Sequence, residues 1–116
     1  MEIWGDGTVV RDFIYVEDVA EALLLAITSD ATGEVVNIGS GTGTSVNDIV
    51  DLVGRVLGRP LRATYTPPRQ IDVPVSVLDI TKAASVLGWK PSTPIEDGIS
   101  LCYEWATGRR GKEHLS

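Results

Sequence analysis

One cysteine, one histidine, one methionine and one phenylalanine occur in the 116 residues, and the first two scarcities exclude whole classes of chemistry. The single histidine, His114, lies in a polar tail, so neither a Ser-His-Asp set nor a Cys-His pair can be assembled on the body of the chain. One histidine and one cysteine do not make a zinc site. Cys102 has no partner for an internal disulfide, which favours a reducing compartment. Its place on the apolar face of a helix pattern reads as an inert core thiol. Positive charge is in short supply too. Ten Lys and Arg stand against 16 Asp and Glu, a net charge of -6, and nucleic-acid affinity needs the opposite balance. The longest apolar run, Ala22 to Ile27, falls far short of the ~20 residues that cross a bilayer. A cytoplasmic protein without nucleic-acid or membrane partners is therefore expected.

With 43% hydrophobic and 22% charged residues, the chain has globular composition and a length that suits one domain. Residues 1–107 are assigned to that domain and 108–116 to the tail. The pattern is mixed α/β: a small sheet of about three strands with about four helices. Glu2–Trp4 reads as an edge strand ended by the turn Gly5-Asp6-Gly7, and Arg11–Val16 alternates as a strand. Asp18 with Glu21 matches a capping box, opening a helix to about Thr28 that is apolar nearly all round and hence expected to be buried on more than one side. Glu34–Ile38 reads as a short buried strand. Ser45 with Asp48 opens a helix stopped by Gly58 and Pro60. Leu61–Thr66 reads as a further strand, and Asp79 as the cap of a short helix ending at Gly88. Thr93-Pro94-Ile95-Glu96 opens a last helix to about Thr107. Trp4, Trp89 and Trp105 read as packing residues, because no basic stripe accompanies them.

Three positions stand out as candidate ligand contacts. Arg11 follows a glycine-rich turn and sits beside Phe13 and Tyr15; a guanidinium can hold two phosphate oxygens through parallel hydrogen bonds. The plainer alternative is a salt bridge to one of the acidic residues. Arg69 and Asp72 lie after Pro67-Pro68, on a stiff stretch with little entropy left to lose on binding. Their plainer alternative is an ion pair with each other. Gly39-Ser40-Gly41-Thr42-Gly43 imitates a dinucleotide-binding turn, but Thr44 stands where the fingerprint needs its third glycine, and no acidic residue occurs at Leu57-Gly58-Arg59-Pro60. It reads instead as a turn that needs positive φ or close backbone approach.

Four stretches, taken in order, carry a resemblance: Gly5-Asp6-Gly7 leading into Arg11-Asp12-Phe13-Ile14-Tyr15-Val16-Glu17-Asp18; Asn37-Ile38-Gly39-Ser40-Gly41; Pro68-Arg69-Gln70-Ile71-Asp72-Val73-Pro74; and Leu87-Gly88-Trp89-Lys90-Pro91. From about Ile3 to about Trp105 the chain resembles the carboxy-terminal part of the NAD-dependent nucleotide-sugar epimerases and dehydratases, the extended short-chain dehydrogenase/reductase family, in its UDP-glucose 4-epimerase-like branch. The resemblance implies a substrate-binding lobe that lacks the Rossmann lobe. It implies that Arg11 and Arg69 contact the diphosphate of a nucleotide-sugar, a UDP-sugar foremost, and that Asp72 accepts hydrogen bonds from ribose hydroxyls. The family's usual glycine before that aspartate is Ile71 here. Four residues beyond Tyr15, Tyr65 and Tyr103 lie Val19, Arg69 and Thr107, so the family's Tyr-x-x-x-Lys pair does not occur. NAD is accordingly expected to serve a full-length enzyme and not to bind this chain alone, which would have no catalytic activity by itself and could self-associate through surface the other lobe would cover. A free-standing nucleotide-sugar binding module and a non-catalytic interaction protein are the alternatives.

Overall fold

Five short strands and four helices make up the described residues, 1–69 and 73–108, of a computed structural model. In chain order they are β1 (Glu2–Trp4), β2 (Val10–Asp12), α1 (Val16–Thr28), β3 (Gly43–Ser45), α2 (Val46–Leu57), β4 (Thr64–Thr66), β5 (Val75–Ser76), α3 (Thr81–Leu87) and α4 (Ile95–Ala106). The expected α/β class with four helices is what the structure shows. The strands, however, form two sheets. β1 pairs in parallel with β4, Ile3 opposite Tyr65. β2 is the central strand of the other sheet, antiparallel to β3 and parallel to β5, with Arg11 opposite both Thr44 and Ser76.

The helix ends follow the sequence signals where the signals are local. Ser45 accepts a hydrogen bond from the Asp48 N–H at 3.1 Å, and Gly58 ends α2 in the left-handed region at φ 72°. Gly88 ends α3 in the same way, at φ 65°. The start of α1 differs from expectation: Tyr15 is its N-cap, and Asp18 lies inside the first turn. The Asp18 carboxylate reaches across to the approach to α4. It accepts from the N–H and hydroxyl of Ser92 at 3.1 and 3.0 Å and of Thr93 at 2.9 and 3.1 Å. Thr93 is thereby engaged by Asp18, and α4 begins after Pro94.

The buried centre lies beside this clasp. Ala22, Ala83 and Trp89 form it, with Ile14, Leu25, Val36, Ile38 and Leu87 packed around them. Trp89 is 1% exposed, and its indole N–H donates to the Asp18 backbone carbonyl at 3.0 Å. A buried tryptophan of this kind contributes on the order of 3–5 kcal/mol. The Leu87-Gly88-Trp89-Lys90-Pro91 stretch thus reads as a helix stop, a core anchor and a lead into the Asp18 clasp.

Elsewhere the core is thin. The molecule measures 48 × 46 × 18 Å, with a radius of gyration of 16.8 Å where roughly 13–14 Å is usual for a compact chain of this length. α1 buries Ala22 but leaves Leu23, Leu24 and Ile27 exposed, the last by 79%. Its all-round apolarity is therefore covered on one side and bare on the other. Glu34–Ile38, expected as a buried strand, is not a strand among the described residues: Val36 and Ile38 pack on the core, while Val35 is exposed. Alternating side chains make a strand only when a neighbouring backbone takes up the hydrogen bonds.

Candidate functional site

The residues that converge on a cleft are Arg11 and Arg69. Arg11 sits in the middle of β2, where the alternation of a strand sends its side chain and that of Asp12 to opposite faces. Its guanidinium Nη1 donates to the carbonyls of Val10 at 2.8 Å and Val73 at 2.6 Å. Arg11 therefore fastens β2 to the residues that lead into β5. The expected alternative, an ion pair with an acidic side chain, is not what holds this group. Arg69 lies just beyond β4, with its guanidinium carbon 5.7 Å from the centre of the Trp4 ring. Both arginines line one cleft of about 270 Å³, together with Trp4, Val9 and Val46. Asp72, the third candidate, lies outside the described residues.

Trp4 is the residue the sequence did not single out. It is 51% exposed at the mouth of the cleft, with a cation over its face, and so does more than pack. The signal available was its place in an edge strand beside a glycine turn. Trp105 is exposed as well, leaving Trp89 as the tryptophan that packs as expected. Cys102 is also exposed, contrary to its reading as a core thiol. It lines an apolar cleft of about 510 Å³ between α2, α4 and the start of α1, a face that the chain itself leaves open.

The glycine turn at 39–43 does bind an anion, but the anion is internal. The Asp12 carboxylate accepts from the Ser40 N–H at 2.7 Å, the Ser40 hydroxyl at 2.6 Å and the Gly41 N–H at 3.0 Å, and from the Leu78 N–H at 3.2 Å. Partial burial alone would raise the pKa of this carboxyl; the bonds from Ser40, Leu78 and Gly41 outweigh it and hold the group below the usual carboxylate range. A dinucleotide would need those same N–H groups for its pyrophosphate. A side chain at Gly41 would press on Ile80, at 3.1 Å, so the space beside the turn is filled by the protein. These residues do not fit NAD. Gly41 has φ 72°, and a Cβ on Gly39 would lie 2.8 Å from Asp12 Oδ2 and 2.9 Å from Leu78 Cδ1. Positive φ and close approach are thus both present. Gly39→Ala should displace the carboxylate from its nest, costing about 1–2 kcal/mol in a urea melt; an unchanged midpoint would show that the nest can widen without loss.

A second clamp fixes the turn after β1. The amide of Asn47 donates to the Asp6 carbonyl at 3.0 Å, the Asn47 N–H to the Gly7 carbonyl at 3.0 Å, and the Tyr65 hydroxyl to Asn47 Oδ1 at 3.0 Å. The turn after β1 is thus tied to α2 and β4.

Known proteins resemble this chain in sequence and in fold. The family model described as "NAD dependent epimerase/dehydratase family" matches residues 1–39. A putative UDP-glucose 4-epimerase of Methanocaldococcus jannaschii is 45% identical over 103 residues, which are 89% of this chain and 33% of that protein. The crystal structure of a Thermotoga maritima UDP-glucose 4-epimerase with UDP-glucose superposes with a TM-score of 0.86 at 41% identity, over 100% of this chain and 36% of that one. MoeE5, solved with UDP-glucuronic acid and NAD, gives a TM-score of 0.87 at 37% identity, over 92% of this chain and 36% of its own. The chain spans about a third of the length of the relatives it matches. Along almost its whole length the chain is thus similar, in sequence and in fold, to one segment of proteins of the NAD dependent epimerase/dehydratase family.

Proposed function

We propose that this chain is the substrate-side, carboxy-terminal part of a UDP-glucose 4-epimerase-like enzyme, and that it anchors the diphosphate of a UDP-sugar. The observation that carries the reading is the convergence of Arg11 and Arg69 on one cleft, two permanently charged groups from residues 58 positions apart in an acidic chain. Two guanidiniums can neutralise a diphosphate and fix its orientation through paired hydrogen bonds. Remote binding energy of that kind serves to place the sugar for chemistry elsewhere. Asp72 is assigned to the ribose hydroxyls. NAD and the proton-transferring tyrosine are assigned to residues outside this sequence, so the chain alone would not turn over substrate. The bare apolar face of α1, with Leu23, Leu24 and Ile27, favours a part that packs against further protein over a free-standing binding module. The same face is where the chain by itself would associate with copies of itself. Among the described residues no helix is long and apolar enough to cross a membrane.

Titration of the 116-residue chain with UDP, followed by amide chemical shifts, tests the reading. Roughly millimolar binding is expected from two arginines without a closing lobe, with shifts centred on β2, Trp4 and Arg69. Calorimetry with NAD should show no binding at micromolar strength. Shifts confined to the Gly39–Gly43 turn, or micromolar NAD binding, would refute the assignment.

A further inference from the structure

We infer that Asp12 is a positioning residue for the anion grip of Arg11, acting through the twist and placement of β2; the inference rests on the functional reading given above. Asp12 and Arg11 are neighbours on the central strand of a three-stranded sheet, with their side chains on opposite faces. On one face the Asp12 carboxylate gathers three donors from Ser40 and Gly41 and a fourth from Leu78, which lie 28, 29 and 66 residues away in sequence. On the other face Arg11 lines the cleft with Trp4 and Arg69.

The two attachments also bracket one stretch of chain. Arg11 Nη1 holds the Val73 carbonyl, the Val10 N–H donates to Pro74, and Asp12 holds the Leu78 N–H, so β5 is tied to β2 at both ends. If Asp12 let go, the end of β2 would lose its tie to the 40–41 turn and to Leu78, and the guanidinium of Arg11 next to it would bear less firmly on the cleft. The glycine turn that imitates a phosphate loop thus serves the anion site indirectly, by holding the residue next to the arginine.

The conservative variant Asp12→Asn keeps the shape but leaves one acceptor oxygen, and its amide nitrogen meets N–H groups it cannot accept from. In the full chain, with UDP as the probe, this variant should bind about fivefold more weakly. It should also show a smaller UDP-induced shift of the Arg11 side-chain Nε–H resonance, a signature that general loosening of the fold would not single out. In an Arg11→Ala background, Asp12→Asn should weaken UDP no further, because the residue through which it acts is gone. Equal weakening in both backgrounds would overturn the positioning role, as would a folded Asp12→Asn chain with unchanged affinity and Arg11 shift. Should Asp12→Asn fail to fold, Ser40→Ala removes one donor alone and should weaken UDP about twofold, again only when Arg11 is present; weakening without Arg11, or none with it, overturns the inference. If the wild-type chain binds no UDP, the functional reading falls and this inference with it; if it binds UDP but the effects add, the inference alone falls.

Discussion

Arg11→Ala and Arg69→Ala should each weaken UDP binding by the isolated chain about tenfold or more. A hydrogen bond to a charged group contributes about 1.5–3 kcal/mol, and tenfold in affinity is about 1.4 kcal/mol, so loss of one bond already reaches that factor. The two variants should differ in their side effects. Arg11→Ala also severs the tie to the Val73 carbonyl, so it should loosen the approach to β5. Arg69→Ala uncovers the face of Trp4, a change that tryptophan fluorescence can follow. Lysine should rescue either position poorly, because an ammonium is a point charge without the planar two-pronged geometry. Affinities read from chemical-shift titration check all four variants. Wild-type affinity in either alanine variant would remove that arginine from the site.

Asp18→Ala should lower stability by about 1.5–3 kcal/mol, a large share of the roughly 5–15 kcal/mol that holds small domains together. The carboxylate is 3% exposed, and its removal strands the N–H and hydroxyl donors of Ser92 and Thr93 beside the buried Trp89. Burial by itself would raise the pKa of Asp18, but the bonds from Thr93 and Ser92 outweigh it and hold the group below the ordinary carboxylate range. Because the folded value lies below the unfolded one, about 3.9, the group contributes stability above that pH and the contribution is lost as pH falls through the folded value. Wild-type protein should therefore weaken steeply with acid below about pH 4. Asp18→Ala should start lower at neutral pH and show a shallower acid slope, with Asp12 supplying part of what remains. Urea melts at pH 7 and across the acid range would show this; an Asp18→Ala chain as stable as wild type at neutral pH would mean that water replaces the clasp without cost.

What could be read in the sequence was what depends on near neighbours. Ser45, Gly58 and Gly88 signal helix ends through bonds to residues three or four positions away, and the structure has them there. Asp18 and Glu21 have the spacing of a capping box, yet the partners of Asp18 are 74 and 75 residues distant, and no local pattern announces such a bond. Asp12 escaped notice for the same reason. β3 and β5, of three and two residues, are too short for alternation to register. Periodicity reports which faces are apolar but not whether anything covers them, so α1, expected to be buried on more than one side, is covered on one, and Cys102, expected in the core, is exposed. Of the candidate site, Arg11 and Arg69 were picked out by the resemblance of the stretches that hold them, since from the residues alone an ion pair was the plainer reading among 16 acidic side chains. The meeting of the two arginines at Trp4 depends on β1 pairing with β4 across some 60 residues, which only the fold supplies.

The slab-like shape has a consequence for cooperativity. α2 packs on α4 and α1 on α3, and the pairs do not share one continuous interior among the described residues. Asp18 reaches from α1 to the residues that lead into α4, so its carboxylate is one tie between the two halves. Its release, by acid or mutation, should lower the cooperativity of unfolding, with the α2–α4 half fraying before the Trp89 half.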